Sequence, residues 1–180
     1  MKKVLIFAFL GLTLNVLAQD TYTLSPESTL KIDGSSTIHD WTVTANTLAG
    51  SLKATTATLN EISFEVPVEN IQSERGAAMD KKMHEALKKD EYPKVIFSLK
   101  DVSNLGAENQ TLSGTLNIAG VEKEVEIETK VEQTDSKLKL SGAKALKLAD
   151  FNMEPPTAMF GSIVVGEDIT VNFDLSFIKE

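Results

Sequence analysis

Cysteine is absent from this chain. That excludes a disulfide framework, which a 180-residue chain does not need in order to bury a core. It also removes the thiolate from any metal site, and the residue that would carry a lipid at a processed N-terminus. Histidine is almost as scarce, with only His39 and His84. Neither His39-Asp40 nor His84-Glu85 has the i, i+4 or short-loop spacing that brings metal ligands together, so no metal is expected. His84 falls on the polar side of a predicted helix and is expected to be solvated. There is no G-x-S-x-G turn to expose a nucleophilic serine. Ser36, His39 and Asp40 lie close along one predicted strand, which sends neighbours to opposite faces rather than into a triad. No glycine-rich phosphate loop is present, and no pair of carboxylates stands apart from the general acidity. The chain therefore reads as a non-enzyme, with no catalytic residues and no cofactor.

Positive charge is also in short supply: 18 Lys and Arg against 26 Asp and Glu, a net charge of −8. Such a surface repels phosphate backbones, which excludes nucleic acid as a partner, and it argues against electrostatic docking on anionic lipid heads. Long apolar runs are missing except at the start. There Lys2 and Lys3 precede an apolar stretch over residues 4–14, and Val16-Leu17-Ala18 forms a small-residue cleavage site. Residues 1–18 thus read as a secretory signal, too short to anchor the chain in a bilayer, with Gln19 first in the mature protein. Residues 19–180 read as one domain, periplasmic or secreted.

What remains is mostly alternation. Apolar residues at every second position mark strands at residues 62–68, 95–99, 112–118, 121–132 and 169–177, and weaker ones at 30–32, 37–44, 48–52 and 137–148. Turn residues such as Asp33-Gly34 and Ala119-Gly120 separate them at hairpin spacing. One stretch has a helical period. Met79, Met83 and Leu87 recur every four residues beside Ala86, with Lys81, Lys82, Glu85, Lys88 and Lys89 on other faces. Tyr92-Pro93 is expected to stop that helix, and residues 69–78 to form a flexible loop before it. The chain reads as a β structure in two parts joined through one short helix. About eight one-sided strands need a single closed sheet or two packed sheets to bury their apolar faces.

Phe64, Phe97, Phe173 and Phe177 fall on predicted inward faces, and Trp41 shares a face with Val43 and His39. Glycine at positions 50 and 114 removes bulk where a ligand would lie, or marks a bulge. The apolar segment at residues 151–161 breaks at Pro155-Pro156 and reads as a rim loop.

Four motifs resemble the YceI-like, polyisoprenoid-binding exported proteins of bacteria. They are Ser36-Thr-Ile-His39-Asp40-Trp41-Thr-Val-Thr44, Asp80 followed by Tyr92-Pro93-Lys-Val95-Ile-Phe97, Gly114-Thr-Leu116-Asn-Ile118-Ala-Gly120-Val121-Glu-Lys123, and Gly166-Glu-Asp168-Ile169-Thr-Val171. Where many members carry Phe-Asp before the Tyr-Pro, this chain has Leu87-Lys-Lys-Asp90-Glu91. The resemblance implies an all-β fold with one short helix, an extended antiparallel eight-stranded β-barrel, lipocalin-like in architecture. It also implies a long apolar tunnel holding an isoprenoid chain, for storage or transport. On the inward faces read above, the expected lining is Trp41, Phe64, Met79, Met83, Leu87, Val95, Phe97, Leu99, Leu112, Leu116, Phe151, Phe160, Val171 and Phe173. The expected partner is a polyisoprenoid or similar apolar lipid, and a homodimer stays open. A competing reading is a structural or stress-linked interaction module whose barrel is filled by its own side chains. A lipid hydrolase or isomerase lacks its nucleophile–base pair.

Overall fold

The structure is a computed structural model that describes residues 19–180. The signal read at residues 1–18 lies outside the described residues. The alternating segments form strands β1 (Asp20–Leu24), β2 (Thr29–Ser36), β3 (Asp40–Ala45), β4 (Ala49–Ala54), β5 (Thr58–Pro67) and β6 (Ile71–Ser73). Helix α1 (Ala77–Ala86) follows, and then β7 (Lys94–Leu99), β8 (Ser103–Asn104), β9 (Asn109–Ile118), β10 (Val121–Gln133), β11 (Lys137–Lys147), β12 (Thr157–Ala158) and β13 (Ile163–Lys179).

Neighbouring strands run antiparallel and share one sheet ordered β1-β4-β5-β7-β9-β10-β11-β13. β1 pairs in turn with the end of β13, through Leu24↔Phe177 and Tyr22↔Lys179, which closes an eight-stranded barrel. The length of β13 makes the barrel two-tiered. Its first part, from Val165 to Asp174, pairs instead with β2, which continues through β3 to β6. Closure around β1 is packed solid: Phe177, Leu59 and Leu138 are fully buried, and Tyr22 and Leu52 nearly so. The tier walled by β2, β3 and β6 is the open end.

The single sheet replaces the expected two-part organisation, because β13 reaches both tiers. Residues 69–78 are not simply a loop. Val68–Asn70 forms a 3₁₀ turn with Val68 buried, and β6 pairs with β3. A three-residue strand is too short to show a period, so only its pairing partner reveals it. α1 stops at Ala86, before Tyr92-Pro93, because Lys88 takes a left-handed φ of 53° and its N–H turns back to Glu85 O. The Ala119-Gly120 turn has φ of 51° and 80°, the primed geometry that suits a two-residue hairpin between β9 and β10.

Glycines in the wall face aromatic rings. Gly34 pairs with Trp41, Gly50 with Phe64 and Gly142 with Phe173, while Gly114 lies diagonally beside Phe97. In each case a ring or a neighbouring carbonyl occupies the space a Cβ would need. At position 50 the added atom would sit 2.9 Å from Ser63 O and 3.2 Å from the Phe64 ring. At position 114 it would press into the Phe97 ring and come within 2.6 Å of Ser98 O. The space expected beside Gly50 and Gly114 for a ligand is thus taken by the protein's own rings. Gly114→Ala should lower stability by about 1–3 kcal/mol through overpacking. Gly106, with open space around it, should tolerate alanine within about 0.5 kcal/mol. Urea-denaturation midpoints of the two variants check this.

Candidate ligand-binding cavity

Inside the open tier the inward faces do not meet. They enclose a cavity of about 450 Å³, within the range of roughly 300–1,000 Å³ typical of small-molecule sites. Trp41, Phe64, Phe97 and Phe173 line it, each with its ring over or beside a wall glycine. Trp41 is half-buried, and its indole N–H donates to Ser35 O at 2.8 Å, which holds the ring at the rim of β3.

Of the residues expected to line a tunnel, Phe64, Val95, Phe97, Leu112, Leu116, Val171 and Phe173 lie on its strand walls, with Trp41 among them. Met79, Met83 and Leu87 close one side from α1 and its C-cap, and Phe151 closes another from a 3₁₀ turn, where it is buried. Two fall elsewhere. Leu99 is half-buried against the core but does not border the cavity. Phe160 is fully exposed: it stands with Met159 in a turn where both take left-handed φ, of 56° and 51°, and the turn carries its side chain outward. The expected rim loop therefore splits, with Phe151 and Met153 packed inside and Met159 and Phe160 outside.

Several lining residues escaped the sequence reading. Leu30 and Ile32 come from a strand that showed only three alternating positions, and Leu140 and Leu146 from one interrupted by Ser141, Gly142 and Lys144. The polar rim was missed as well. Ser36, His39, Ser73, Arg75, Lys82 and Thr157 gather at the open end, at strand ends, on turns and on the polar face of α1, where such residues read as ordinary solvation. Arg75 Nη1 donates to His39 Nε2 at 2.6 Å, and Lys82 Nζ donates to Thr157 O at 2.8 Å across the rim. α1 rests on β6 by two polar ties: Asp80 Oδ1 accepts from Ser73 N–H at 2.7 Å, and His84 Nε2–H donates to Ile71 O at 2.8 Å. His84 is therefore an anchor rather than a solvated side chain.

Ser36 and His39 do not form a nucleophile–base pair. Ser36 Oγ donates to His39 O at 2.8 Å and stands 3.4 Å from Nδ1, and the other ring nitrogen faces Arg75 rather than a carboxylate. Among the described residues no group of three His, Asp or Glu side chains could hold a metal ion. Shifted ionisation belongs to the outer face. Glu124 raises the pKa of Lys100, Glu132 and Glu108 raise that of Lys130, and Asp174 raises that of Lys139, each first by a hydrogen bond and then by its charge. These are exposed pairs, of little individual weight.

Residues 22–177 match the family described as the YceI-like domain. Among solved structures, the chain is similar to the crystal structure of BcnA from Burkholderia cenocepacia, with a TM-score of 0.71 and 15% identity, covering 85% of this chain and 98% of that one. It is also similar to a polyisoprenoid binding domain from Saccharophagus degradans implicated in plant cell wall breakdown, with a TM-score of 0.70 and 17% identity, covering 88% and 98%. The YCEI protein of Campylobacter jejuni aligns with a TM-score of 0.57 and 17% identity, covering 100% and 99%. At these identities the structures share the fold. No curated protein matches the chain.

α1 walls one side of the cavity, yet none of its residues is fully buried. Its amides should exchange with deuterium at least about tenfold faster than those of Leu175 and Phe177 in β13, because opening costs less where few apolar contacts hold an element. Exchange followed by mass spectrometry reads this, and equal protection would make the helix part of the rigid barrel.

Proposed function

The chain belongs to the YceI-like family, and on that premise we propose that it is an exported, non-catalytic protein that holds one long apolar lipid, isoprenoid in type, inside its barrel for storage or transport. The observation that carries this reading is the unfilled interior. A barrel of this strand number either fills itself or holds a small ligand, and here about 450 Å³ stays open among hydrocarbon side chains. The polyisoprenoid binding domain of Saccharophagus degradans, similar in fold, supports the choice of ligand class. Residues 1–18, as a cleaved signal, would deliver the chain to the compartment where such a lipid is met.

Magnitudes agree with the reading. Burying a five-carbon isoprene unit contributes roughly 4 kcal/mol at about 0.8 kcal/mol per carbon group. Association costs about 4–15 kcal/mol of rigid-body freedom, so a few buried units give useful affinity. The site needs length and apolar walls, and no acid, base or metal.

Val171 separates a ligand space from a filled core. It lines the cavity from β13, where Ile32 and Lys144 flank it on neighbouring strands. Val171→Phe should fold with a stability change under about 1 kcal/mol, whereas overpacking a filled core costs about 1–3 kcal/mol. The same variant should lose prenyl-lipid binding by tenfold or more. Trp41, the only tryptophan and a lining residue, supplies the readout through its emission. A strongly destabilised Val171→Phe together with a wild type blind to prenyl lipid would mean a filled barrel.

A further inference from the structure

Among the described residues the most exposed large apolar side chains are Phe160, Met159 and Ile38. They sit on two turns that lie side by side. One joins β2 to β3 and carries Ile38, and the other joins β12 to β13 and carries Met159-Phe160-Gly161. Thr37 ties the two together: its N–H donates to Val164 O at 3.0 Å, and its hydroxyl accepts from Val164 N–H at 3.3 Å. Ile38, Ala158, Ile163 and Val165 on these segments border the mouth of the cavity, and Val164 is exposed beside them. Residues 155–166 contain no charged side chain. Extending the lipid reading of the cavity, we propose that this lip is a membrane-docking surface, whose tip enters the face of an uncharged bilayer and sets the cavity mouth against it.

The exposure of the tip is held by the backbone. Thr157↔Val164 and Ala158↔Ile163 form a short ladder beneath it, and Val165 N–H donates to Pro156 O at 3.1 Å. Above the ladder Met159, Phe160 and Gly161 take successive φ of 51°, 56° and 87°. Glycine visits that region freely, whereas Met and Phe do so against steric resistance. Ser162 N–H closes the turn on Met159 O at 3.2 Å. An apolar opening lies next to both side chains, and turning into it would take them out of water. The turn carries them outward instead.

A bilayer fits such a tip better than a protein does. A stable protein interface buries about 1,200–2,000 Å² in total, far more than four apolar side chains on a protruding turn supply. A membrane asks for no matching shape, only for apolar side chains that reach past polar ones into the acyl boundary. The charge distribution agrees. The chain has 26 Asp and Glu, yet none borders the cavity or its mouth, where contact with a membrane would strip a carboxylate of water. The net charge of −8 opposes an anionic surface, so the partner is a neutral one. From the tip, Ile38 and Ile163 lead to the hydrocarbon walls within. A prenyl chain leaving the bilayer therefore reaches the cavity along apolar side chains.

Vesicles of phosphatidylcholine and phosphatidylethanolamine test this. The exported chain should sediment with them, and the bound fraction should change little with salt. Met159→Ser combined with Phe160→Ser should weaken that binding by about tenfold or more, since apolar insertion carries it. The same double variant should keep its melting temperature and its Trp41 response to farnesol added without vesicles. The absence of cysteine allows one polarity-sensitive label at a time. A label on Phe160→Cys should shift to the blue on vesicles. A label on Val102→Cys should not, although Val102 is as exposed as Ile38, 60% against 61%, because it lies near the packed end, where Ser103 pairs with Leu59. Vesicle binding unchanged in the double variant, equal shifts of the two labels, or no binding by wild type would overturn the docking surface while leaving the cavity reading in place. Self-association of wild type that the double variant abolishes would also overturn it, in favour of a second copy of the chain. Vesicle binding lost in the double variant, with no response of wild type to farnesol, would uphold the docking surface and remove the cavity reading.

Discussion

The interior depends on how aromatic rings are seated in the barrel wall. Trp41, Phe64 and Phe173 each face a glycine on the neighbouring strand, and Phe97 covers Gly114. A side chain at any of those glycines would meet ring or backbone atoms, so the missing Cβ is what lets the ring lie close to the sheet. Four large side chains then line the cavity instead of crossing it. Without those notches the same residues would have to turn inward, and the hydrophobic effect would favour closing the space.

The second constraint is the length of β13. One strand of 17 residues carries β1 at one end and β2 over the rest. Where β1 closes the sheet, Phe177, Leu138 and Leu59 are fully buried. Where β2, β3 and β6 take over, the wall is completed by a helix held by polar ties rather than by deep burial. A packed base supplies stability, and a loosely held side supplies the element able to move for a ligand.

Much of this was written in the alternation of the chain. β9 and β10 read nearly as they fold, because apolar and polar residues alternate along most of each, whereas β13 was read only from Ile169, its start hidden by Gly166-Glu-Asp168, which reads as a turn. β1 and β6 did not, since five and three residues carry too little period. The helix was found from Met79, Met83 and Leu87, but its end was misplaced, because Lys88 adopts a left-handed turn that its side chain does not announce. The inward faces pointed to most of the cavity wall. Phe160 was misassigned because apolar character alone cannot tell a lining residue from one exposed on a turn. The rim of His39, Arg75 and Lys82 was out of reach, as its members lie on separate segments that only the closed sheet brings together.

A barrel whose wall is notched to keep its centre open should be found occupied where lipid is available. Native mass spectrometry of the mature protein recovered from an exporting bacterial host measures this directly. A lipid-holding barrel predicts the polypeptide mass plus a single apolar molecule, removable by organic extraction and restored by incubation with a prenyl lipid. The bare polypeptide mass, unchanged after that incubation, would contradict it.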